Sequence, residues 1–481
     1  MYLGIDLGTS GVKALIIDND QSIVASATAD LEVLRPHSGW CEQDPAQWIS
    51  VTRQAIGRLK QDSAAALASV EGIGLSGQMH GATLLDRSDT VLRPCILWND
   101  TRAHEEAAAL DSNPLFRSLS GNIVFPGFTA PKLVWTKNRE PEVFDLTAKV
   151  LLPKDYLRLW LTGEHVSEMS DASGTSWLDV GKRDWSPELL AASYMRADQM
   201  PRLVEGSEVS GGLRSVLAEE WGMKPDTVVA GGAGDNAATA IGMGTVGEGA
   251  AFVSLGTSGV LFAANNAYRP NPASAVHTFC HSVPHSWHQM GVILSATDTL
   301  NWFAAITGQP AAALTAELGY SLREPQAVFL PYLSGERTPH NDAAIRGALT
   351  GISHATDRAA VTAAILEGVA FAFRDNIEAL NAAGTTVDRL IASGGGSRSA
   401  YWLGSIATAL GVPVDIPVAG DVGAAFGAAR LGMIAAGGSL EACTTPRIER
   451  TIEPDASLQS AYEDAFQQYR RTYPAIRSTL T

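Results

Sequence analysis

The six residues Leu7-Gly8-Thr9-Ser10-Gly11-Val12 occur a second time, letter for letter, as Leu255-Gly256-Thr257-Ser258-Gly259-Val260. About half of the 481-residue chain separates the two copies. Each copy joins two apolar, β-patterned runs, which are Tyr2 to Ile5 and Val12 to Ile17, then Ala251 to Val253 and Val260 to Ala263. A glycine-rich turn between two such runs is typical of a β-hairpin. The repeat therefore predicts two related halves, each opened by a hairpin.

Strand and helix patterns alternate after each hairpin. In the first half, the run 22–28 predicts a third strand, Asp44-Pro45 predicts a helix start, and 72–76 predicts a buried strand. In the second half, apolar residues at helical spacing predict a long helix over 357–380, and 390–392 predicts another buried strand. Both halves therefore predict an α/β fold.

Length and composition allow two large domains. Hydrophobic residues make up 46% of the chain and charged residues 18%, which excludes a disordered protein. The glycine-rich run 242–249 predicts the boundary, with an N-terminal domain over 1–245 and a C-terminal domain over 246–481. The small-residue run 424–429 predicts a closely packed helix, and 457–473 predicts a final helix that packs back on the body.

The net charge of −16 is spread along the chain, so nucleic acid and anionic membranes are poor partners. A small anion would need backbone N–H groups or a metal ion in a local pocket. The first six residues lack the basic region of a signal peptide, and polar residues interrupt long uncharged stretches such as 249–268. We expect a cytoplasmic protein with reduced, packed cysteines, which are Cys41, Cys95, Cys280 and Cys443.

Both repeated turns have the chemistry of a phosphate site. Small residues in 8–11 and 256–259 present N–H groups and hydroxyls that suit phosphate oxygens, and two facing turns would hold a polyphosphate. The alternative is a pair of ordinary β-turns. Asp6 precedes the first hairpin, whereas Ser254 stands at the matching position of the second. Only the first copy therefore carries a carboxylate suited to hydrated Mg²⁺.

Other polar residues follow predicted strands. Asp235 and Asn236 come after a strand and a glycine turn, where a carboxylate can accept a hydroxyl proton or simply cap a helix. His80 is either a ligand of a sugar hydroxyl or a buried structural histidine. Trp98 is either an aromatic face for a carbohydrate or a core residue. The run 393–399 is either a plain loop or a glycine floor for a nucleobase.

Four histidines suggest a metal site at first sight, namely His277, His281, His285 and His288. Pro284 would interrupt any helix that aligned them, and no carboxylate lies within the cluster. We therefore do not expect a metal there.

Taken together, the two hairpins, Gly234-Asp235-Asn236 and the run 393–399 resemble the FGGY family of carbohydrate kinases, within the superfamily of actin and the heat-shock chaperones. Six further motifs resemble the members that act on D-xylulose: Gly77 to Gly81, Ile96 to Asp100, Leu152 to Leu157, Met169 to Gly174, Pro331 to His340 and Gly420 to Ala425. The resemblance implies two ribonuclease-H-like domains around a central catalytic cleft.

The resemblance also implies roles for single residues. Asp235 is the expected general base, and Asp6 is expected to organise Mg²⁺. The sugar is expected to contact Met79, His80, Asn236 and Trp98. The nucleotide is expected to contact Thr9, Lys13, Gly256, Thr257, Gly395, Gly396 and Ser399. Glycerol kinases carry Arg-Glu where this chain has Met79-His80, which disfavours glycerol, and an Asn where it has Ser399, which weakens an adenine contact there.

The implied reaction is transfer of the γ-phosphoryl group of ATP to the 5-hydroxyl of D-xylulose, with Mg²⁺, in pentose catabolism. Another kinase of the family, acting on ribulose, gluconate or a polyol, is the main alternative. A catalytically silent sugar sensor would lack the general base, whereas this chain has Asp235. A chaperone-like or cytoskeletal ATPase would need an additional domain for which no segment remains. The sequence leaves open whether the chain forms a homodimer.

Overall fold

Two seven-stranded mixed sheets organise the chain, as seen in a computed structural model that describes residues 1–418 and 423–480. The residues Gly420, Asp421 and Val422 of the last family motif lie outside the described residues.

The first half contributes strands β1 (Tyr2–Leu7), β2 (Gly11–Ile17), β3 (Ile23–Asp30), β4 (Glu42–Gln43), β5 (Gly72–Gly77), β6 (Thr83–Leu85), β7 (Cys95–Ile96), β8 (Lys149–Leu151), β9 (Val166–Glu168), β10 (Leu178–Asp179), β11 (Asp184–Trp185), β12 (Arg202–Val204), β13 (Val209–Gly212), β14 (Val228–Ala230) and β15 (Ala233–Gly234). The second half contributes β16 (Ala251–Leu255), β17 (Gly259–Asn265), β18 (His277–Cys280), β19 (Trp287–Ile293), β20 (Val328–Leu330), β21 (Ala348–Thr350), β22 (Leu390–Ser393), β23 (Val414–Pro417) and β24 (Ile448–Ile452).

The helices are α1 (Pro45–Ala68), α2 (His104–Asp111), α3 (Pro114–Ser120), α4 (Thr129–Arg139), α5 (Pro141–Leu146), α6 (Pro153–Thr162), α7 (Met169–Ala172), α8 (Pro187–Ala192), α9 (Ser215–Trp221), α10 (Asp235–Gly242), α11 (Thr297–Thr307), α12 (Ala311–Leu318), α13 (Arg358–Ala382), α14 (Ala400–Leu410), α15 (Ala424–Ala435) and α16 (Gln459–Arg477). No helix in the described ranges is long and apolar enough to cross a bilayer.

Each repeated hairpin lies inside one of the two sheets. The first sheet runs β13-β14-β5-β1-β2-β3, with β15 beside β5, and the second runs β18-β19-β17-β16-β22-β23-β24. In both, the first hairpin strand is antiparallel to its partner and parallel to a later buried strand. This confirms the prediction of two related halves. The strands at 83–85 and 95–96 pair outside the first sheet, with β8 and β4.

Helix α15 follows the second sheet in sequence but packs on the first sheet. A Cβ at Gly74 would collide with the carbonyl oxygen of Ala428, and one at Gly427 would collide with that of Ala238. Glycine at these positions lets α15 lie directly against β5 and α10, as the small-residue pattern predicted. The boundary after residue 245 stays a prediction, because α15 belongs to the second half of the chain and contacts the first sheet.

The second sheet has a core of its own. Helix α13 begins after Asp357, whose side chain accepts a hydrogen bond from the N–H of Ala360, and most of its length is buried. The final helix α16 buries Tyr462, Phe466 and Tyr469 in the same core, which confirms that it packs back on the body. All four cysteines are buried and unpaired, as predicted.

Candidate active site

Asp6 and Lys13 occupy directly opposed positions on the strands of the first hairpin. The N–H of Gly8 donates to the carbonyl of Gly11 (2.9 Å) and closes the turn between them. Oδ1 of Asp6 is buried and accepts no hydrogen bond from the described residues. Burial raises the pKa of Asp6, and it lowers the pKa of Lys13. A buried, unsatisfied carboxylate oxygen beside a phosphate-type turn is the expected feature of a cation ligand.

Asp235 lies at the start of α10, at the carboxyl end of β15, which pairs with β5. Its Oδ1 accepts hydrogen bonds from the N–H (2.7 Å) and Nδ2 (2.9 Å) of Asn236. Gly234 is the N-cap residue, so the reading of Asp235 as a helix cap is wrong. Burial, and then the charge of Asp6, raise the pKa of Asp235 to about 6. Two carboxylates therefore lie close enough to interact, and one has the pKa of a general base.

His80 presents one nitrogen to a ligand. Its Nδ1 lies 2.7 Å from the carbonyl oxygen of Gly174, which can only accept, so Nδ1 carries the proton. The carbonyl of His80 accepts hydrogen bonds from Thr129 (3.1 Å) and Lys132 (2.8 Å), and the ring stacks on Phe128 at 4.5 Å. Burial lowers the pKa of His80 to about 3. The ring is therefore neutral, and its Nε2 is an acceptor for a hydroxyl donor.

Met79 and Trp98 border the same region. Met79 is buried against the turn before Asp235, because a Cβ at Gly234 would lie 2.9 Å from the Met79 sulfur. Trp98 is 47% exposed, so the core reading of this residue is wrong. Its Nε1 donates to the hydroxyl of Thr9 at 3.0 Å. The predicted sugar and phosphate residues are therefore in direct contact.

Two glutamines that sequence reasoning gave no role connect these segments. Gln78 accepts a hydrogen bond from the Thr9 hydroxyl (3.2 Å) and donates to Gln43 (2.8 Å). Gln43 donates in turn to the Thr9 carbonyl (2.7 Å) and accepts from the indole of Trp48 (3.0 Å). The hairpin turn is thus fixed to the segment that carries Met79. Gln78 lies inside a quoted motif, but its partner Gln43 is distant in sequence and carries no local signal.

A buried ionic cluster supports the catalytic turn from behind. Nζ of Lys154 lies 2.7 Å from Asp155, 2.9 Å from Asp171 and 3.3 Å from Glu168, and all four side chains are fully buried. The hydroxyl of Ser170, bound to Glu168, accepts a hydrogen bond from the N–H of Gly234 (3.1 Å). The cluster therefore holds the residue that precedes Asp235.

The second hairpin lies against the start of α11. The carbonyl of Gly256 accepts from the N–H of Thr297 (2.9 Å), and that of Thr257 accepts from Ala296 (2.8 Å). Engaging the carbonyl groups fixes the orientation of the turn, which is needed if its N–H groups are to meet a phosphate. These hydrogen bonds hold the turn in one orientation, as the hypothesis of a phosphate-binding turn requires.

Two cavities lie on either side of the glycine run 393–399. One of about 450 Å³ is bounded by Gly395, Gly396, Ser399 and Trp402 together with residues of α11 and α12. The other, about 590 Å³, is bounded by strand ends of the second sheet, by the same glycine run and by α10. Ser399 also caps α14 by accepting a hydrogen bond from the N–H of Trp402 (3.3 Å). The three predicted adenosine residues therefore share one cavity wall.

The histidine cluster lies among aromatic rings. His288 stacks on Phe262 with ring centroids 4.5 Å apart, and His277 lies 5.2 Å from Phe125. Within residues 1–418 and 423–480, no three His, Cys, Asp or Glu side chains are arranged to hold a metal ion.

The architecture is the two-domain α/β fold of the actin-like ATPase type, and it carries a candidate base, a candidate acceptor-binding histidine and two phosphate-type hairpins. The model of the FGGY family of carbohydrate kinases, N-terminal domain, matches residues 1–242, and that of the C-terminal domain matches residues 251–436. The chain belongs to the FGGY family of carbohydrate kinases.

Three relatives are similar over nearly the whole chain. A xylulose kinase from Escherichia coli (strain K12) is 47% identical over 483 residues, covering 99% of both chains. One from Klebsiella pneumoniae is 49% identical over 439 residues, covering 90% of both. The crystal structure of a xyloylose kinase from Brucella ovis is 62% identical, covers 99% of both chains and superposes with a TM-score of 0.98.

Proposed function

We propose that this enzyme transfers the γ-phosphoryl group of ATP to the 5-hydroxyl of D-xylulose, giving D-xylulose 5-phosphate and ADP. The observation that carries the proposal is the position of Asp235, a half-buried carboxylate with a pKa of about 6 beside both Asp6 and the Met79-His80 segment. Relatives named xylulose kinase, at 47% and 49% identity, support the choice of acceptor.

Asp235 accepts the proton of the attacking hydroxyl while that oxygen bonds to the γ-phosphorus and ADP leaves from the opposite side. Oδ1 of Asp235 is engaged by Asn236, whereas Oδ2 has no hydrogen bond to the described residues and is available for the proton. The two hairpins supply N–H groups to the transferring phosphoryl group, and Lys13 adds a positive charge. Positioning and electrostatics therefore account for most of the rate enhancement.

Asp6 fits the role of Mg²⁺ ligand, because its Oδ1 is buried without a hydrogen bond to the described residues. When bound, Mg²⁺ neutralises charge on the phosphate oxygens of ATP. The acceptor sugar is held by hydrogen bonds to Nε2 of His80 and by the exposed face of Trp98. The four buried thiols support a reducing, cytoplasmic setting.

A panel of acceptors tests the function. With ADP release as the readout, D-xylulose should show a kcat/KM at least about tenfold above L-ribulose, D-ribulose, glycerol and gluconate, a difference of about 1.4 kcal/mol in transition-state binding. A higher value for any other acceptor would replace the substrate while leaving the kinase class intact. No ADP release with any acceptor would refute the kinase assignment itself.

Replacing Trp98 with phenylalanine removes the indole N–H that binds Thr9 and keeps an aromatic face. We expect kcat/KM for the sugar to fall about three- to tenfold, the value of one hydrogen bond. The matched control is Trp160→Phe on α6, whose ring packs against Trp221 in the first core. If the two variants have equal kcat/KM, the Trp98–Thr9 contact does not contribute to catalysis.

A further inference from the structure

Arg337 reaches from the second domain toward the sugar side of the cleft. The segment between β20 and β21 that carries it is fixed to β19, because the N–H of Thr338 donates to Val292 (3.1 Å) and the N–H of Val292 donates back to the Thr338 hydroxyl (3.1 Å). From this base, the Arg337 guanidinium lies 4.4 Å from the ring centroid of Phe125, a residue of the first half of the chain.

The guanidinium of Arg337 has no ion pair or hydrogen bond to the described residues, and burial lowers the pKa of Arg337. The neighbouring Glu336 does not satisfy it, because Oε1 of Glu336 accepts from the N–H groups of Leu294 (3.1 Å) and of Arg337 itself (2.7 Å). A guanidinium carries five donors, and because Arg337 is only half-buried these donors stay accessible to a ligand oxygen. These donors are therefore expected to meet a ligand.

His277 presents a second unsatisfied group beside it. Neither ring nitrogen has a hydrogen bond to the described residues, and Nδ1 is fully buried. The ring packs 5.2 Å from Phe125 and 5.8 Å from Phe128. Burial, and then the charge of Arg337, keep the pKa of His277 well below its ordinary value. His277 is therefore a neutral ring with one donor and one acceptor to offer.

A row of rings connects Arg337 to the predicted sugar residues. His80 stacks on Phe128 at 4.5 Å, Phe128 lies 5.5 Å from Phe125, and Phe125 lies under Arg337. The charge of Arg337 lowers the pKa of His80 as well, after burial and the charge of Lys132, so the two groups are within electrostatic range. His80 is the member of this row nearest in sequence to the Asp235 turn's contact, because its neighbour Met79 packs against Gly234. Arg337 therefore lies toward the end of the acceptor opposite the reacting hydroxyl.

We propose that Arg337, with His277 beside it, binds the oxygens at C1 and C2 of the ketose. The planar guanidinium can donate two parallel hydrogen bonds, one to the C2 carbonyl oxygen and one to the C1 hydroxyl, while His277 pairs with the same hydroxyl. The inference rests on the proposed function. It adds two residues of the second domain, Arg337 and His277, that contribute to selection of the acceptor sugar. A sugar is then held on both sides only when the two domains enclose it.

Arg337→Met tests the contact, because methionine keeps apolar contact with Phe125 and removes all donors. We expect kcat/KM for D-xylulose to fall about 30- to 100-fold, mainly through KM for the sugar, with KM for ATP unchanged. With 1-deoxy-D-xylulose, which lacks the C1 hydroxyl, the penalty of the variant should shrink at least about fivefold. Arg337→Lys should recover part of the loss, since it restores a positively charged donor group without the planar fork.

Two further variants separate ligand binding from folding. His277→Phe preserves the ring packing and removes both nitrogens, so KM for D-xylulose should rise several-fold at an unchanged melting temperature. Arg346→Met is the matched control, because among the described residues that guanidinium donates only to carbonyls of its own loop, and its loss should leave KM unchanged.

Equal penalties of Arg337→Met on D-xylulose and on 1-deoxy-D-xylulose would overturn the proposal, as would a loss below about threefold on D-xylulose. If the wild-type enzyme prefers another acceptor, the proposed function fails separately. The same KM comparison on that acceptor, with and without its oxygens remote from the reacting hydroxyl, then decides the role of Arg337.

Discussion

Asp235→Asn should lower kcat for sugar phosphorylation about 10²- to 10⁴-fold, the contribution of a general base. Asparagine has the same size and can still accept the hydrogen bonds from Asn236 through its oxygen, so the turn keeps its shape. It cannot take up a proton from the attacking hydroxyl. ADP binding, measured by calorimetry, should be unchanged because the cavities proposed for the nucleotide are bounded by other residues.

The pH profile gives the same prediction a second readout. Below pH 6, Asp235 is protonated, because burial and the charge of Asp6 raise its pKa to about 6. Wild-type kcat/KM should therefore fall about tenfold per pH unit on the acid side of this value. Asp235→Asn should lack this acid limb, whereas the control Asp62→Asn, on the exposed side of α1, should keep it. Near-normal turnover of Asp235→Asn would refute the role of Asp235 as base.

The hairpin repeat and the Asp235 turn were predictable from sequence because their signals are local. Glycine at fixed positions between apolar strands specifies a turn, whatever the rest of the chain does. A strand followed by glycines and Asp235 likewise places a carboxylate at a strand end, where α/β proteins bind ligands.

Features that depend on contacts between distant segments were not predictable. The sequence around Trp98 is equally compatible with a core position, and only its exposure and its contact with Thr9 in the structure exclude that position. The packing of α15 on the first sheet needs glycines on both elements, far apart in sequence. Arg337 lies inside a recognised motif, but its unsatisfied donors become apparent only when Phe125 is placed beneath it.

The buried cluster around Lys154 is another feature that depends on contacts between separate segments. A substitution there has the largest expected effect on stability. Lys154→Met should lower the free energy of unfolding by about 3 to 5 kcal/mol, the cost of leaving a buried charge unpaired. Lys154 interacts with Asp155, Glu168 and Asp171, and removing it leaves three buried carboxylates with Arg158 as their remaining cation among the described residues. The variant should melt roughly 6 to 20 °C lower in calorimetry.

Lys182→Met is the matched control, because Lys182 pairs with Asp179 at 3.0 Å while its side chain is 80% exposed. An exposed pair of this kind contributes at most about 1 kcal/mol, so this variant should melt close to wild type.

Burial raises the pKa of Asp171 to about 8. The charge of Lys154 lowers this pKa, so the pKa rises further in Lys154→Met, and the variant should lose more stability than wild type as the pH rises above 8. Similar melting temperatures for the two variants would mean that the buried cluster does not stabilise the fold, and a deficit that stays constant above pH 8 would mean that Lys154 acts through packing rather than charge.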